Sequence, residues 1–588
     1  MIGQIVLLGF LALATVAKTD SALPKLELPW GTWQASVYEN DTHIYLFRNV
    51  RFGAPPERFN RSLSPDWKDN TLQNIKQDIS CIQVNASRPS DSTRGTPHLE
   101  DPENSDELQS EDCLFLDIYV PSTAFRPLSP FLPVVVWIYG GGYAFGSKNP
   151  HGPLNTGQSL LRASNYQTIF VTGNYRIGAF GWLSGDYMQT AGQPNAGLYD
   201  QALLLEWVHT YIHRVRGDRT RVSAWGESAG AGSILHHLIR EDGTHDPLFS
   251  TFAVQSPAFQ WAWDNSPGGE LDKTYKRFSD LAGCGSKYNI KCLRTASLEK
   301  LVSANQKLFN DARNKSVFPV GPAVDGKWVT TIPTVAFSQG RFWHGIKSGI
   351  ISHCANESQA FTPKINSSEK FDEFLCQVLP GPDRKPQRDA IKKQYNCTES
   401  FNGNFHKCLA AVIQDSLFTC NTRDLFESCP TATYMMKYEF PQAEYAFHAV
   451  DLIPLFINNP QEAIWLLESV GVNSSNATDY AKGLDYNQIP HIYQNYFASF
   501  ALSGDPNKGR PNPPKQWTVV NGSGNNFSDV MGVKFNKFPS HAFYLTVDDQ
   551  NNKTTCSFWT EIAKEITASY MTTDSERVLQ DVSHFEEL

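Results

Sequence analysis

Apolar residues gather along this chain in short unbroken blocks, each stopped by a turn signal. Leu132 to Tyr139 (LPVVVWIY) is rich in β-branched residues and runs into three glycines, which predicts a strand buried on both faces and then a tight turn. Thr168 to Thr172, Gly349 to Ser352 and Met436 to Phe440 read the same way, and Val222 to Trp225 predicts a strand running straight into Gly226. Elsewhere the spacing changes. Ala202 to Val208 (ALLLEWV) and Ser233 to Ile239 carry their apolar residues at helical spacing. Strands alternating with helices predict an α/β protein with a large, mostly parallel central sheet flanked by helices. The polar stretch 86–112, between Cys81 and Cys113, reads as a tethered surface loop, and 521–528 as a second exposed loop. No break in composition divides the chain, so residues 18–588 are expected to form one domain.

The N-terminal residues are set apart from that pattern. Ile5 to Ala17 is an apolar run of signal-peptide length, with small residues at Thr15-Val16-Ala17, and predicts a signal peptide over 1–17. It is too short to cross a bilayer, which takes about 20 apolar residues. The expectation is a secreted, extracellular chain with no stable membrane insertion. Twelve N-x-S/T sequons, at Asn40, Asn314, Asn396 and Asn552 among others, predict N-linked glycans. None of the 11 cysteines forms a CxxC zinc pattern, so they point to disulfides in an oxidising compartment rather than to a metal. A net charge of −9 lacks the basic balance that a nucleic-acid partner requires.

Chemistry enters at Gly226-Glu227-Ser228-Ala229-Gly230, a G-x-S-x-G between a predicted strand and a predicted helix. A tight strand-to-helix turn pushes the Ser hydroxyl out above the sheet, and side chains at the flanking positions would clash, which is why glycine stands there. The motif also occurs as a plain Gly-rich packing loop; here the strand before it and the small residues after it favour a nucleophile. Gly140-Gly141-Gly142, after the strand ending at Tyr139, reads either as a tight turn or as a loop whose N–H groups face a developing oxyanion. A Ser nucleophile needs an imidazole as base and a carboxylate to orient it. Among 15 histidines, His236 and His237 follow the elbow and read as packing or surface residues. The choice among the others stays open on these grounds.

Eight segments in order resemble the type-B carboxylesterase/lipase family, which includes cholinesterases and secreted fungal lipases. They are LFRNVRFGAPPERF (46–59), SEDCLFLDIYVP (110–121), VVVWIYGGGYAFGS (134–147), VTGNYRIGAFGWLS (171–184), NAGLYDQALLLEWV (195–208), WGESAGAGS (225–233), HAVDLIPLF (448–456) and FALSGDPN (500–507). The resemblance is nearest to the secreted fungal esterases. It implies an α/β-hydrolase fold with long insertions, and ester hydrolysis that needs neither metal nor organic cofactor. Ser228 resembles the nucleophile, and His448 the base, since it opens H-x-x-D-L-x-x-x-F. Glu357 in SHCANESQAF resembles the acid, with Ser358 where glycine is usual. The order Ser–Glu–His is that of the α/β-hydrolases. Gly141, Gly142 and Ala229 resemble the oxyanion donors. Asp451 competes with Glu357 but sits three residues after His448 and reads as support for the local turn.

The family's disulfides carry over as Cys81–Cys113 and Cys284–Cys292; Cys354 is expected to be a free, inert thiol, and the other six cysteines have no assignment. Two departures remove no catalytic group: Val215-Arg216 stands where the family has Phe-Gly before Gly217-Asp218, and Pro257 follows Gln255-Ser256 in place of glycine. Between Cys81 and Cys113, where the family's lipases carry a lid, the only large apolar residues are Ile82, Val84, Leu99 and Leu108, among many Asp and Glu. That favours soluble neutral esters over a lipid surface. The loop also lacks the Trp, Tyr or Phe that would face a choline cation. The competing expectations are a lipase or sterol esterase, an acyltransferase and a non-catalytic binding protein.

Overall fold

Eleven strands form the central sheet of the computed structural model, which describes residues 23–568 apart from 86–107, 314–317, 510–514 and positions 40, 74, 76, 151, 263, 430 and 431. The apolar run Ile5 to Ala17 and most of the polar stretch 86–112 lie outside the described residues. In chain order the strands are β1 (Ser36–Tyr38), β2 (Asp41–Arg51), β3 (Phe115–Pro121), β4 (Leu132–Ile138), β5 (Ile169–Gly173), β6 (Gly217–Glu227), β7 (Thr251–Gln255), β8 (Ser348–Cys354), β9 (Ala432–Tyr438), β10 (Phe527–Val533) and β11 (Phe543–Asp548). Across the sheet they lie in the order β11-β10-β9-β8-β7-β6-β4-β5-β3-β2-β1.

From β10 to β5 every pairing is parallel, and the outer strands pair antiparallel. All seven residues of β4 and all seven of β8 are buried. Helices over both faces leave a parallel strand no solvent side, which suits the uninterrupted apolar run of β4; β8 also buries Ser348, Ser352 and His353. The chain is thus an α/β-hydrolase fold.

Two helices lie against strand β6. Helix α1 (Ala196–Tyr211) buries Leu198, Leu203, Leu204 and Val208, with Leu204 against Gly173 of β5. Helix α2 (Ala229–Leu238) is buried at all ten positions, as expected of a helix enclosed on every side. Its start precedes the predicted Ser233, because Ala229-Gly230-Ala231-Gly232 carries no apolar period. Strand β6 likewise extends beyond Val222 to Trp225; its first half is polar and partly exposed, so hydropathy could not reveal it. The segment 521–528 is exposed up to Asn525, but β10 begins at Phe527, whose ring is buried.

Disulfides join Cys81 to Cys113, Cys284 to Cys292, Cys397 to Cys408 and Cys420 to Cys556. Cys354 is free and buried at the end of β8; Cys429 is free and buried, and Cys376 free and exposed. Among the described residues no helix is long and apolar enough to cross a membrane.

Candidate active site

Four loops leave the C-terminal ends of parallel strands and converge, the usual place for a site in an open α/β sheet. The first is the turn from β6 into α2. Ser228 sits there at φ 55°, ψ −125°, a conformation a non-glycine residue adopts only when its surroundings enforce it. They do. The Ser228 N–H donates to Gln255 O (2.9 Å), and its carbonyl accepts from Gly232 N (2.8 Å) and Ala258 N (3.1 Å). A Cβ on Gly226 would lie 2.8 Å from Ile138 O, so β4 and the turn approach too closely for any side chain.

The second loop follows β9 and carries His448; the third follows β8 and carries Glu357. His448 Nε2 lies 2.8 Å from Ser228 Oγ, and His448 Nδ1 lies 2.6 Å from Glu357 Oε2. With Nδ1–H donating to the carboxylate, Nε2 is left to accept the serine proton. Glu357 is wholly buried. Its other oxygen accepts from Ser256 Oγ and from Cys354 N, both at 2.6 Å. These bonds satisfy the buried oxygen where water cannot. Asn356 is tied into the same loop, its side-chain amide donating to Gln359 Oε1 and Glu444 O.

The fourth loop is Gly140-Gly141-Gly142, after β4. A Cβ on Gly140 would meet Ser228 Cβ at 2.9 Å and Glu227 Oε2 at 2.8 Å, so this loop starts in contact with the serine. Gly141 and Gly142 have φ of 104° and 60°. A side chain at Gly141 would strike the Phe145 carbonyl, and one at Gly142 the Phe318 ring.

Asp451 is brought close but not onto the imidazole. It is buried in the turn that follows His448 and accepts from Gln255 Nε2 at 2.8 Å. His236 and His237 are buried on α2 against Gly232 O and Gln201 Oε1, and burial pushes them down to about 4 and about 3. They are neutral packing residues.

Sequence reasoning assigns no role to Glu227, Ser256 or Phe418. Glu227 is the variable position of the elbow motif, yet it is buried with Oε1 3.2 Å from His448 Nε2. Burial pushes its carboxyl up to about 8, with the His448 charge acting the other way. Burial alone would lower His448, but the Glu227 and Glu357 carboxylates outweigh it and raise the imidazole to about 9. The arrangement can activate a hydroxyl, hold the resulting imidazolium and face an oxyanion.

A family-wide sequence profile, that of the carboxylesterase family, matches residues 24–559. A protein named secreted lipase from Arthroderma benhamiae is 31% identical over 96% of this chain and 98% of its own length. Carboxylesterase patB of Aspergillus clavatus is 28% identical over 86% of this chain and 92% of its own. The crystal structure of Aspergillus niger EstA superposes with a TM-score of 0.74 at 24% identity, covering 93% of this chain and 99% of that one.

Proposed function

The chain belongs to the carboxylesterase family and is a carboxylic-ester hydrolase; from that premise we propose that it is a secreted serine esterase working through Ser228, His448 and Glu357 by way of an acyl-enzyme. One observation carries the assignment: a single imidazole bridges the strained elbow hydroxyl at 2.8 Å and a buried carboxylate at 2.6 Å. Ser228 Oγ attacks the ester carbonyl while His448 Nε2 takes its proton. The N–H groups of Gly141, Gly142 and Ala229 hold the tetrahedral oxyanion. The imidazolium then protonates the departing alkoxide, the alcohol leaves, and the acyl group remains on Ser228. A water that gives its proton to the same nitrogen attacks the acyl-enzyme and releases the carboxylic acid.

Soluble neutral esters are the proposed substrates, supported by the acidic, apolar-poor composition of the segment between Cys81 and Cys113. Relatives named secreted lipases, one of them a secreted triacylglycerol lipase, favour a second reading, hydrolysis of triacylglycerol. They also support secretion; a signal peptide over 1–17 and a single domain over 18–588 complete the proposal. N-linked glycans are proposed at sequons such as Asn476 and Asn521, whose exposure supports them, and not at Asn356, whose amide is already bonded.

The test is an organophosphonate probe with peptide mapping, beside a panel of soluble p-nitrophenyl esters and a triacylglycerol emulsion. The adduct is expected on Ser228, and Ser228→Ala is expected to fold and to lose turnover. A clean Ser228→Ala preparation that still hydrolyses esters overturns the assignment, and emulsion rates above the soluble rates select the lipase reading.

A further inference from the structure

One long helical stretch approaches the site from outside the four loops. It consists of Phe405–Gln414, a wide π turn over Asp415–Thr419, and Cys420–Ser428. Its buried positions include Leu409, Ile413, Phe418, Thr422 and Leu425, spaced by four, five, four and three residues. Four and three are ordinary helical steps. Five residues of α-helix advance about 500°, which would turn Phe418 roughly 140° off the face of Ile413. The wide turn absorbs that extra residue, and single π turns of this kind concentrate at functional sites.

The helix touches the site at this turn and beside it. Gln414 Oε1 accepts from Ser358 N (3.1 Å), the residue after Glu357. Asn421 Nδ2 donates to Pro257 O (3.0 Å), the residue after Ser256. Phe418 lies between them with its ring 4.9 Å from the His448 ring and 5.3 Å from that of Phe361, which in turn stands 5.2 Å from His448. The three rings form a closed triangle. Phe418 is only 2% exposed.

We propose that Phe418, held on this face by the π turn, is a positioning residue for the base: with Phe361 it walls the His448 ring, keeping Nε2 on the serine and keeping water from the imidazole. Resting as it does on His448 being the base, this role concerns orientation and solvation, not proton transfer. The base must serve first the nucleophile and then the leaving group, so a ring with freedom to swing loses the aligned geometry both steps need. The charged groups facing the imidazole are Glu357, Glu227 and Asp451, and Phe418 adds none. Its removal therefore acts through water, which stabilises the imidazolium and moves the acid limb of the pH profile upward.

Four variants of the full chain separate the possibilities: Phe418→Ala, Phe418→Leu, Leu409→Ala on the same face two turns earlier, and His448→Gln. Each is measured for kcat and KM across pH on a soluble ester, with Tm alongside. Phe418→Ala is expected to lower kcat tenfold to a hundredfold, roughly the cost of a misplaced group, with KM changed less than threefold and the acid limb displaced upward. Phe418→Leu is expected to show both effects in part, and Leu409→Ala to lower Tm without moving the limb. If Phe418→Ala keeps kcat, or loses activity only as Leu409→Ala does with the limb unmoved, Phe418 is ordinary core and the proposal fails. Should Phe418→Ala not fold, Phe418→Leu decides: a partial fall in kcat with an upward limb supports the role, and wild-type values overturn it. His448→Gln reports separately on the base, since turnover surviving there removes the catalytic assignment whatever Phe418 does.

Discussion

Glu227 Oε1 lies 3.2 Å from His448 Nε2, the nitrogen that faces the Ser228 hydroxyl at 2.8 Å. A buried carboxylate so placed raises the imidazole whenever it is ionised, and Oε1 has no hydrogen-bond partner among the described residues. Glu227→Gln keeps the shape and removes the charge. The acid limb of kcat/KM is expected to move to lower pH, because a less stabilised imidazolium forms only at higher proton concentration. Turnover at the plateau falls far less than in Ser228→Ala. A pH profile that stays where it was shows that Glu227 bears no charge in the range where the base titrates.

Two buried carboxylates compete for the role of acid, and their geometry ranks them. Glu357 touches Nδ1 at 2.6 Å, whereas Asp451 is occupied by Gln255 and is pushed up to about 6, chiefly by burial. Glu357→Gln is expected to cut kcat by on the order of 10⁴, as when the imidazole is left in the wrong tautomer. Asp451→Asn should cost less than about tenfold, the loss of one supporting contact. Steady-state kinetics on one soluble ester decide it, and the opposite ranking makes Asp451 the acid.

Gly142 has both a left-handed backbone (φ 60°) and the Phe318 ring standing where a Cβ would go. Gly142→Ala must therefore shift the loop. The expected loss is about 10²–10³ in kcat, the cost of one displaced oxyanion donor, with KM changed much less. A substitution that leaves kcat near wild type removes this amide from the mechanism.

His353 and Asp548 form a wholly buried pair at 2.8 Å between β8 and β11. Burial would raise Asp548, but His353 and Lys437 outweigh it and hold the carboxyl at about 2; its stabilising contribution is present above its ordinary 3.8 and is lost as pH falls through about 2. Burial would lower His353, but Asp548 raises it, so its contribution is complete below 6.5 and is lost as pH rises through the raised value. Asp548→Asn leaves one buried partner unpaired and is expected to cost about 3–5 kcal/mol near neutrality. The Tm gap to wild type should narrow in alkaline buffer as His353 loses its proton. A gap that does not vary with pH means the pair is uncharged throughout.

Legibility followed the length scale of each interaction. Strand β4 announced itself through a solid apolar run, and the elbow glycines through local crowding that any such turn imposes. The resemblance picked out Ser228, His448 and Glu357, which lie 91 and 220 positions apart along the chain in the two hydrogen bonds that join them. Glu227 and Phe418 carried no comparable signal. One fills the free position of a motif, and the other is an apolar residue in a helix whose five-residue step looks like a lapse in periodicity.

From the string of residues came the α/β architecture, the nucleophile's turn and the types of side chain available for acyl transfer, since these depend on neighbours a few positions apart. Folding in three dimensions settled which carboxylate meets the imidazole, that a second one crowds its other nitrogen, and that Cys397 pairs with Cys408 and Cys420 with Cys556. Those outcomes depend on distances of about 3 Å between groups far apart along the chain, and on how deeply each is buried. A linear order of residues specifies neither until the sheet brings its strand ends together.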